Sequence, residues 1–392
     1  MKRYGAVKAA CYTGYIVQAV INNFLPVLFV ILQGSYHLSY EKLGRLIFVN
    51  FMTQLLADLT APLIVKRIGY RGAAILSHAL ASTGLIGLWA LSSLFPGEYI
   101  TLFVAVVVYA FGSGLIEVII SPMVELLPSR NKATSMAFLH SFYCWGQMLT
   151  IALTTYMVWQ FGDGNWSFIP LIWAVIPLAN VFAFCFVPVV EPDPEVREST
   201  AKELFSNRTF LCFAVFMLCA GASEIAMAEW ASAFVQRGLG LNKAVGDLLG
   251  PCTFALFMGI GRTVFGVFAG RYSAVRMLIF NNALCVVCYI VAGLCSSPVP
   301  VLVAGALCGF SVSLSWPGTY SLAAARFPHG GTLMFSFFAL FGDIGCSIGP
   351  WVLGAVADRF SLQSGFLVAS VFPLLFIAAA LLLPKEKDCK TE

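Results

Sequence analysis

The 392-residue sequence predicts an all-α polytopic membrane protein, with twelve transmembrane helices in two pseudo-symmetric six-helix bundles. Three observations point there. Hydrophobic residues make up 59% of the chain and charged residues 11%, with a mean hydropathy of +0.87, which fits no soluble globular protein of this length. The apolar residues gather into stretches that each supply the roughly 20 helical residues needed to cross a hydrocarbon core of about 30 Å. The longest polar stretch, PVVEPDPEVRESTAKELFSN over 188–207, holds Pro188, Pro192 and Pro194 amid dense charge, so it breaks helix and divides the chain near its middle. The alternating pattern of a membrane β-barrel is absent, which leaves helices to satisfy the backbone in lipid.

In order, the spans fall near 8–33, 42–65, 71–94, 98–119, 133–158 and 168–188, then 208–236, 244–269, 274–294, 299–319, 332–357 and 362–384. The expected domains are an N-terminal bundle over 1–188, a central loop over 189–207 and a C-terminal bundle over 208–392. Span 1 follows Lys2 and Arg3 but is too long for a signal-peptide core, and no small-residue cleavage site follows it, so it reads as a retained helix. With both termini cytoplasmic, the loops on that side collect most of the 23 Lys and Arg, including Lys2, Arg3, Lys66, Arg67, Arg71, Arg130, Lys132, Arg271, Arg276, Arg326, Lys385, Lys387 and Lys390. Lys42, Arg45, Arg237, Lys243 and Arg359 fall on the other side, and Arg262 lies within a span. The positive-inside rule therefore predicts cytoplasmic termini and a plasma (inner) membrane location.

Chemistry other than transport finds little support. Cys285 and Cys288 form a CxxC, but on an apolar span with no His or charge beside them, which favours packing over a metal or redox role. No nucleotide fingerprint, haem site, metal-ligand cluster or nucleophile–base pair is visible, so no cofactor, metal, nucleic acid or enzymatic activity is expected.

The halves repeat. ELLPSRNKATSMAFLH around Pro128 and ARFPHGGTLMFSFF around Pro328 each end a span, turn, and restart with Thr and Met: Thr134 and Met136, then Thr332 and Met334. The turn KRIGYR (66–71) between spans 2 and 3 has a counterpart in GRYSAVR (270–276) between spans 8 and 9. Related halves are a common transporter plan.

On these features the chain resembles the major facilitator superfamily, over essentially its whole length. Four stretches are similar to the fucose-permease-like sugar:proton symporters within it: FGSGLIEVIISP (111–122), INNFLP (21–26), MGIGR (258–262) and GDIGCSIGPWVLG (342–354). The resemblance implies the major facilitator fold and proton-coupled sugar symport by alternating access. Two departures stand out. Lys66 and Pro62 occupy places where the superfamily turn has an acid and a Gly, so Asp58 is expected to take over part of the gating, with Arg67, Arg71 and Arg271. Asn22 stands where the subfamily has a carboxylate before the span 1 Leu-Pro.

Ionisable groups deep in a membrane helix are functional candidates by default. Glu117, matching the subfamily's span 4 acid, is expected to carry the proton. Glu224 and Glu229 in span 7 sit about 140° apart around a helix, so only one faces a given point. Glu224, beside Gly221, Ala222 and Ser223, is the one expected in the cavity, coupling protons or making an interhelical hydrogen bond, with Glu229 and Trp230 nearer the mouth. His140 reads as a proton relay or a hydrogen-bonding partner, and Asp343 as a solute ligand or a cross-helix partner. Arg262 is expected to snorkel or hold the inner gate. Asn22, Asn23, Tyr143, Trp145, Gln147, Trp230 and Trp316 join His140, Glu224 and Asp343 as candidate solute contacts, since amides donate and accept while aromatic faces stack on sugar C–H groups. The expected partners are a small neutral polar solute, protons and the bilayer, for a protein acting as a monomer. Proton-coupled drug antiport and uniport are the alternatives.

Overall fold

The computed structural model describes residues 4–38, 40–192, 197–239, 246 and 248–384. Lys2, Arg3, Pro194, Lys243, Lys385, Lys387 and Lys390 lie outside the described residues. Every described regular element is a helix. The first half comprises α1 (Gly5–Val27), its continuation α2 (Phe29–Tyr36), α3 (Tyr40–Leu94), α4 (Tyr99–Leu126), α5 (Lys132–Phe161) and α6 (Phe168–Phe186). After a short α7 (Ala201–Phe205), the second half comprises α8 (Arg208–Leu239), a π-turn over Leu248–Cys252, α9 (Thr253–Phe268) and α10 (Ala274–Leu294). It is completed by α11 (Pro298–Val312), α12 (Ser315–Arg326), α13 (Gly331–Arg359), α14 (Leu362–Ala369) and α15 (Val371–Leu381).

Nine helices among the described residues are long and apolar enough to span a membrane. One of the nine, over Arg45–Leu94, comprises two spans, because α3 turns back on itself at Gly69 with φ 68° and ψ 175°. α1 and α5 are long enough but too polar to qualify, and they are the helices that supply amides to the interior. α11 with α12, and α14 with α15, are single spans broken at Ser313–Leu314 and at Ser370. The fold is thus the expected pair of six-helix halves. α4 continues through Pro122 to Leu126, so Glu117 lies well inside the helix.

One end of the molecule, here the loop end, is sealed by contacts between the halves. Tyr70 Oη meets Thr332 Oγ1 at 2.7 Å, the Asn131 side chain donates to the Ala269 carbonyl at 2.8 Å, and Ser336 donates to the Asp58 carbonyl. The segment between the halves ties into both. The Glu191 carboxylate accepts from the Tyr70 and Arg71 backbone N–H groups at 2.7 and 3.0 Å, capping the second arm of α3 just past the Gly69 turn. On the other side, the Ser199 N–H donates to the His329 carbonyl at 2.8 Å. A capping box between Thr200 and Glu203 starts α7, and Arg197 pairs with Glu203 at 2.7 Å.

Candidate functional site

Two chambers lie between the halves. The outer, about 160 Å³, is lined chiefly by Asn22, Asn23 and Pro26 of α1, Asn50 and Phe51 of α3, Tyr143 and Gln147 of α5, and Ile225 and Glu229 of α8. The inner, about 60 Å³, is lined by Tyr15, Gln18, Glu117, His140, Glu224, Arg262, Trp316, Asp343 and Cys346. Asn22, Phe51, Tyr143 and Ile225 line both and form the constriction between them.

The amides of α1 hold the upper lining in place. Asn22 Oδ1 accepts from Gln54 at 3.0 Å and from Asn50 at 3.3 Å, while Asn23 accepts from Gln147 at 3.1 Å. Asn50 Oδ1 and Gln147 Oε1 have no protein partner, so the lining retains acceptor capacity. The place of the missing span 1 carboxylate is therefore filled by an amide tied to two others.

Below the constriction, Glu117 accepts a hydrogen bond from the side-chain amide of Gln18 of α1. One turn further along α4, Ser121 meets Tyr15 Oη at 2.7 Å, and the same hydroxyl lies 3.4 Å from His140 Nε2. The His140 ring is edge-on to both Tyr15 and Tyr320, so it sits where the two halves meet.

Arg262 is 2% exposed and engages three acceptors. Nη2 pairs with Glu224 Oε2 at 3.3 Å, Nη1 donates to the His140 carbonyl at 2.9 Å, and Nε donates to the Ser313 carbonyl at 3.2 Å. The Ser313 carbonyl is left to accept because Pro317, four residues on, has no N–H to donate to it. The snorkelling expected of Arg262 is thus corrected: buried acceptors from α8, α5 and the α11–α12 break hold the guanidinium in the centre. One cation faces three acids of the inner chamber, Glu117, Glu224 and Asp343.

The structure brings most of the sequence candidates together. Asn22, Asn23, Tyr143 and Gln147 line the outer chamber, and His140, Glu224, Trp316 and Asp343 the inner one. Glu224 and Glu229 face different chambers, as their angular separation requires. Trp145 and Trp230 line neither. Trp145 packs where a Cβ on Gly259 of α9 would sit, and Trp230 donates to the Pro350 carbonyl at 3.2 Å with its ring beside Gly354. Each indole fills the space that a glycine leaves on a facing helix. Arg71 donates to the carbonyls of Phe184 and Cys185 at the end of α6, whereas Arg67 is exposed and Arg271 lies over the Phe268 ring at 5.3 Å. Asp58 is fully buried. Sequence reasoning missed Tyr15, Ser121 and Glu191. The spacing of Tyr15 and Gln18, one turn apart on α1 and one turn before Asn22, was the available signal for the first. Nothing local marks Glu191, whose partners lie 120 residues away. Among the described residues no group of three or more His, Cys, Asp or Glu is placed to hold a metal.

Comparison with known proteins agrees with this architecture. "Membrane protein MosC" of Rhizobium meliloti is 20% identical over 362 residues, covering 92% of this chain and 86% of that protein. The E. coli fucose:proton symporter FucP superposes with a TM-score of 0.81 at 14% identity, covering 98% of this chain and 100% of that one. The proton:xylose symporter XylE gives 0.85 at 11%, over 98% and 96%. The human organic anion transporter MFSD10 gives 0.76 at 14%, over 96% and 99%. The family model described as Major Facilitator Superfamily matches residues 11–258 and 239–391, so this chain belongs to the Major Facilitator Superfamily of membrane transporters.

Proposed function

We propose that the chain is a proton-coupled symporter of a small neutral polar solute, a sugar above all, working as a monomer by alternating access between bundles 1–188 and 208–392 joined by the loop 189–207. The observation that carries this reading is the stacked arrangement of the chambers. A mainly apolar, partly aromatic space set with amides shares Asn22, Phe51, Tyr143 and Ile225 with a smaller chamber that holds a buried carboxyl, Glu117, at the junction of the two halves. Amide donors and acceptors on Asn22, Asn23 and Gln147, with the faces of Tyr143 and Trp316, suit a hydroxyl-rich solute. FucP and XylE, which share the fold, are named as fucose:proton and proton:xylose symporters, which supports the same class of cargo.

In this reading Glu117 and Glu224 carry the coupling. Glu117 takes up a proton, and Glu224 exchanges its bond to Arg262 for one to the solute. His140 and Asp343 contact the solute from below, while Trp145 and Trp230 act from behind by fixing α9 and α13. Asp58, Arg67, Arg71 and Arg271 control the loop end, and Arg262 gates from the centre, where it joins the halves at the His140 carbonyl. By the positive-inside rule we read the loop end as the cytoplasmic one, so a form closed there is closed to the cytoplasm, in a plasma (inner) membrane. Solute and proton together favour the occluded state more than either alone, which is coupling in the thermodynamic sense.

The test is lumenal pH in proteoliposomes loaded with a pH-sensitive dye, with L-fucose, D-xylose and other neutral sugars added outside. Acidification with one sugar, abolished by Glu117→Gln, is the expected result. Alkalinisation of an acid-loaded lumen on adding a drug would instead establish antiport. Equilibration of labelled sugar with no pH change would establish uniport or coupling to another ion.

A further inference from the structure

Asp58 and Asp343 stand out because neither is accounted for by its surroundings. Asp58 is 0% exposed and neither of its carboxyl oxygens has a hydrogen-bond partner; Asp343 is 4% exposed and its Oδ2 has none. They come from opposite halves. Ser336 of α13 donates to the Asp58 carbonyl, and Ala339, one turn on, packs against Ala57 and Ala61 of α3 and Leu115 and Val118 of α4. Asp343 follows Ala339 by a further turn on the same helix face. At 1.5 Å rise per residue, Glu117, Asp58 and Asp343 lie about 14, 15 and 18 Å from the loop-end termini of α4, of the first arm of α3, and of α13. Three carboxyls from three helices thus share one level.

A second, independent group faces the same place. The Tyr320 hydroxyl of α12 is buried and has no hydrogen-bond partner, and its titratable neighbours are Glu117, Tyr15, Asp58 and Asp343. An uncompensated carboxylate in such a setting costs several kcal/mol, and no cation is bonded to either aspartate. Among the described residues no group of three or more His, Cys, Asp or Glu is placed to hold a metal ion, and a proton on each carboxyl removes its charge where it stands.

We propose that Asp58 and Asp343 form a second proton-binding site, shared between the halves and in series with Glu117. Asp343 lines the inner chamber and takes its proton from hydronium there, leaving water. Asp58 lies against α13 with no exposure and reaches water only when α13 parts from α3 at the loop end. With both acids neutral the interface closes. Once that end opens, a carboxyl gives its proton to water as hydronium, and the resulting carboxylate opposes reclosure until it is reprotonated. The existence of the site stands on the buried, unpartnered groups alone, whereas its place in transport rests on the proton coupling proposed above.

Infrared spectroscopy of the full chain in liposomes at neutral pH tests the site directly, through the carbonyl stretch of protonated carboxyls. Asp58→Asn and Asp343→Asn are each expected to remove one such band, and to lower the proton-to-sugar ratio of L-fucose or D-xylose uptake by one. Bands unchanged in both variants overturn the site. Bands lost with an unchanged ratio overturn its position in the transport path. Should an asparagine variant fail to insert, the wild type alone decides, since absence of any protonated-carboxyl band at neutral pH also overturns the site. Bands lost in both variants, with no sugar-driven proton movement in the wild type, would keep the site and defeat the symport reading instead.

Discussion

Arg262 commits all three guanidinium nitrogens to protein acceptors on three different segments, and only one of those acceptors is charged. Removing the cation therefore leaves Glu224 buried with no compensating charge, while removing both partners leaves no buried charge, only a packing change and the lost bonds to the His140 and Ser313 carbonyls. Arg262→Met is expected to cost about 3–5 kcal/mol in unfolding measured in detergent. The double variant Arg262→Met with Glu224→Leu is expected to recover most of that loss, though not transport. Equal destabilisation of the single and double variants would show that the pair does not act as a unit. The sequence indicated that a lone Arg inside a span mattered. It could not indicate which way the side chain runs, because a four-bond side chain reaches either the interface or the centre. The acceptors that decide the matter come from α5 and from a break in span 10. The same limit applies to Trp145 and Trp230, whose composition suits a sugar site but whose rings fill gaps opposite Gly259 and Gly354.

Helix packing sets the next scale, and here glycine position decides the sign of a substitution. Gly342, Gly345 and Gly349 line the face of α13 that meets α8 and Trp316. A Cβ on Gly345 would run into the Leu218 carbonyl, and one on Gly349 into the Ala222 backbone. Gly345→Ala must therefore push two packed helices apart, at about 1–3 kcal/mol. Gly87, also helical, has nothing within 4 Å of where a Cβ would stand. There the lower backbone entropy of the unfolded alanine chain dominates, and Gly87→Ala is expected to stabilise by about 0.5–1 kcal/mol. Thermal unfolding of the two variants side by side should shift in opposite directions; a shared direction would refute the packing argument. The glycine spacing on span 11 was visible in the sequence, and so were the span limits, because apolar length and basic turns report them directly. The breaks at Leu28, Ser313–Leu314 and Ser370 were missed. Each lies two to four residues from a proline, Pro26, Pro317 and Pro373 in turn, which was the signal available; apolar length alone reports no change of axis.

At the scale of the whole molecule, the closed loop end combines helix packing between the halves with a few polar contacts, and the segment between the halves contributes to the latter. Gly69 has a positive φ, and a Cβ there would lie 3.1 Å from the Glu191 carboxylate oxygens, so the turn and its cap require each other. Glu191 fixes the second arm of α3, and that arm presents Tyr70 to Thr332 of the other half. Lys66 stands where the superfamily resemblance leads one to expect an acid in this turn, and Glu191 supplies a carboxylate to the same turn from elsewhere in the chain. Breaking the Tyr70–Thr332 bond removes roughly 1 kcal/mol from the closed form, which is roughly a fivefold gain in the population open at the loop end. Cys346 lines the inner chamber and offers a native reporter. A membrane-impermeant thiol reagent should reach it in the wild type from the mouth side. In Tyr70→Phe its labelling from the loop side, read by mass spectrometry of the Cys346 peptide, should rise roughly fivefold. Glu191→Gln, which keeps the shape but weakens a charge-assisted cap, should raise it further than the loss of one neutral bond does. If neither substitution changes loop-side labelling, the closed end is held by helix packing alone, and the segment between the halves is only a tether.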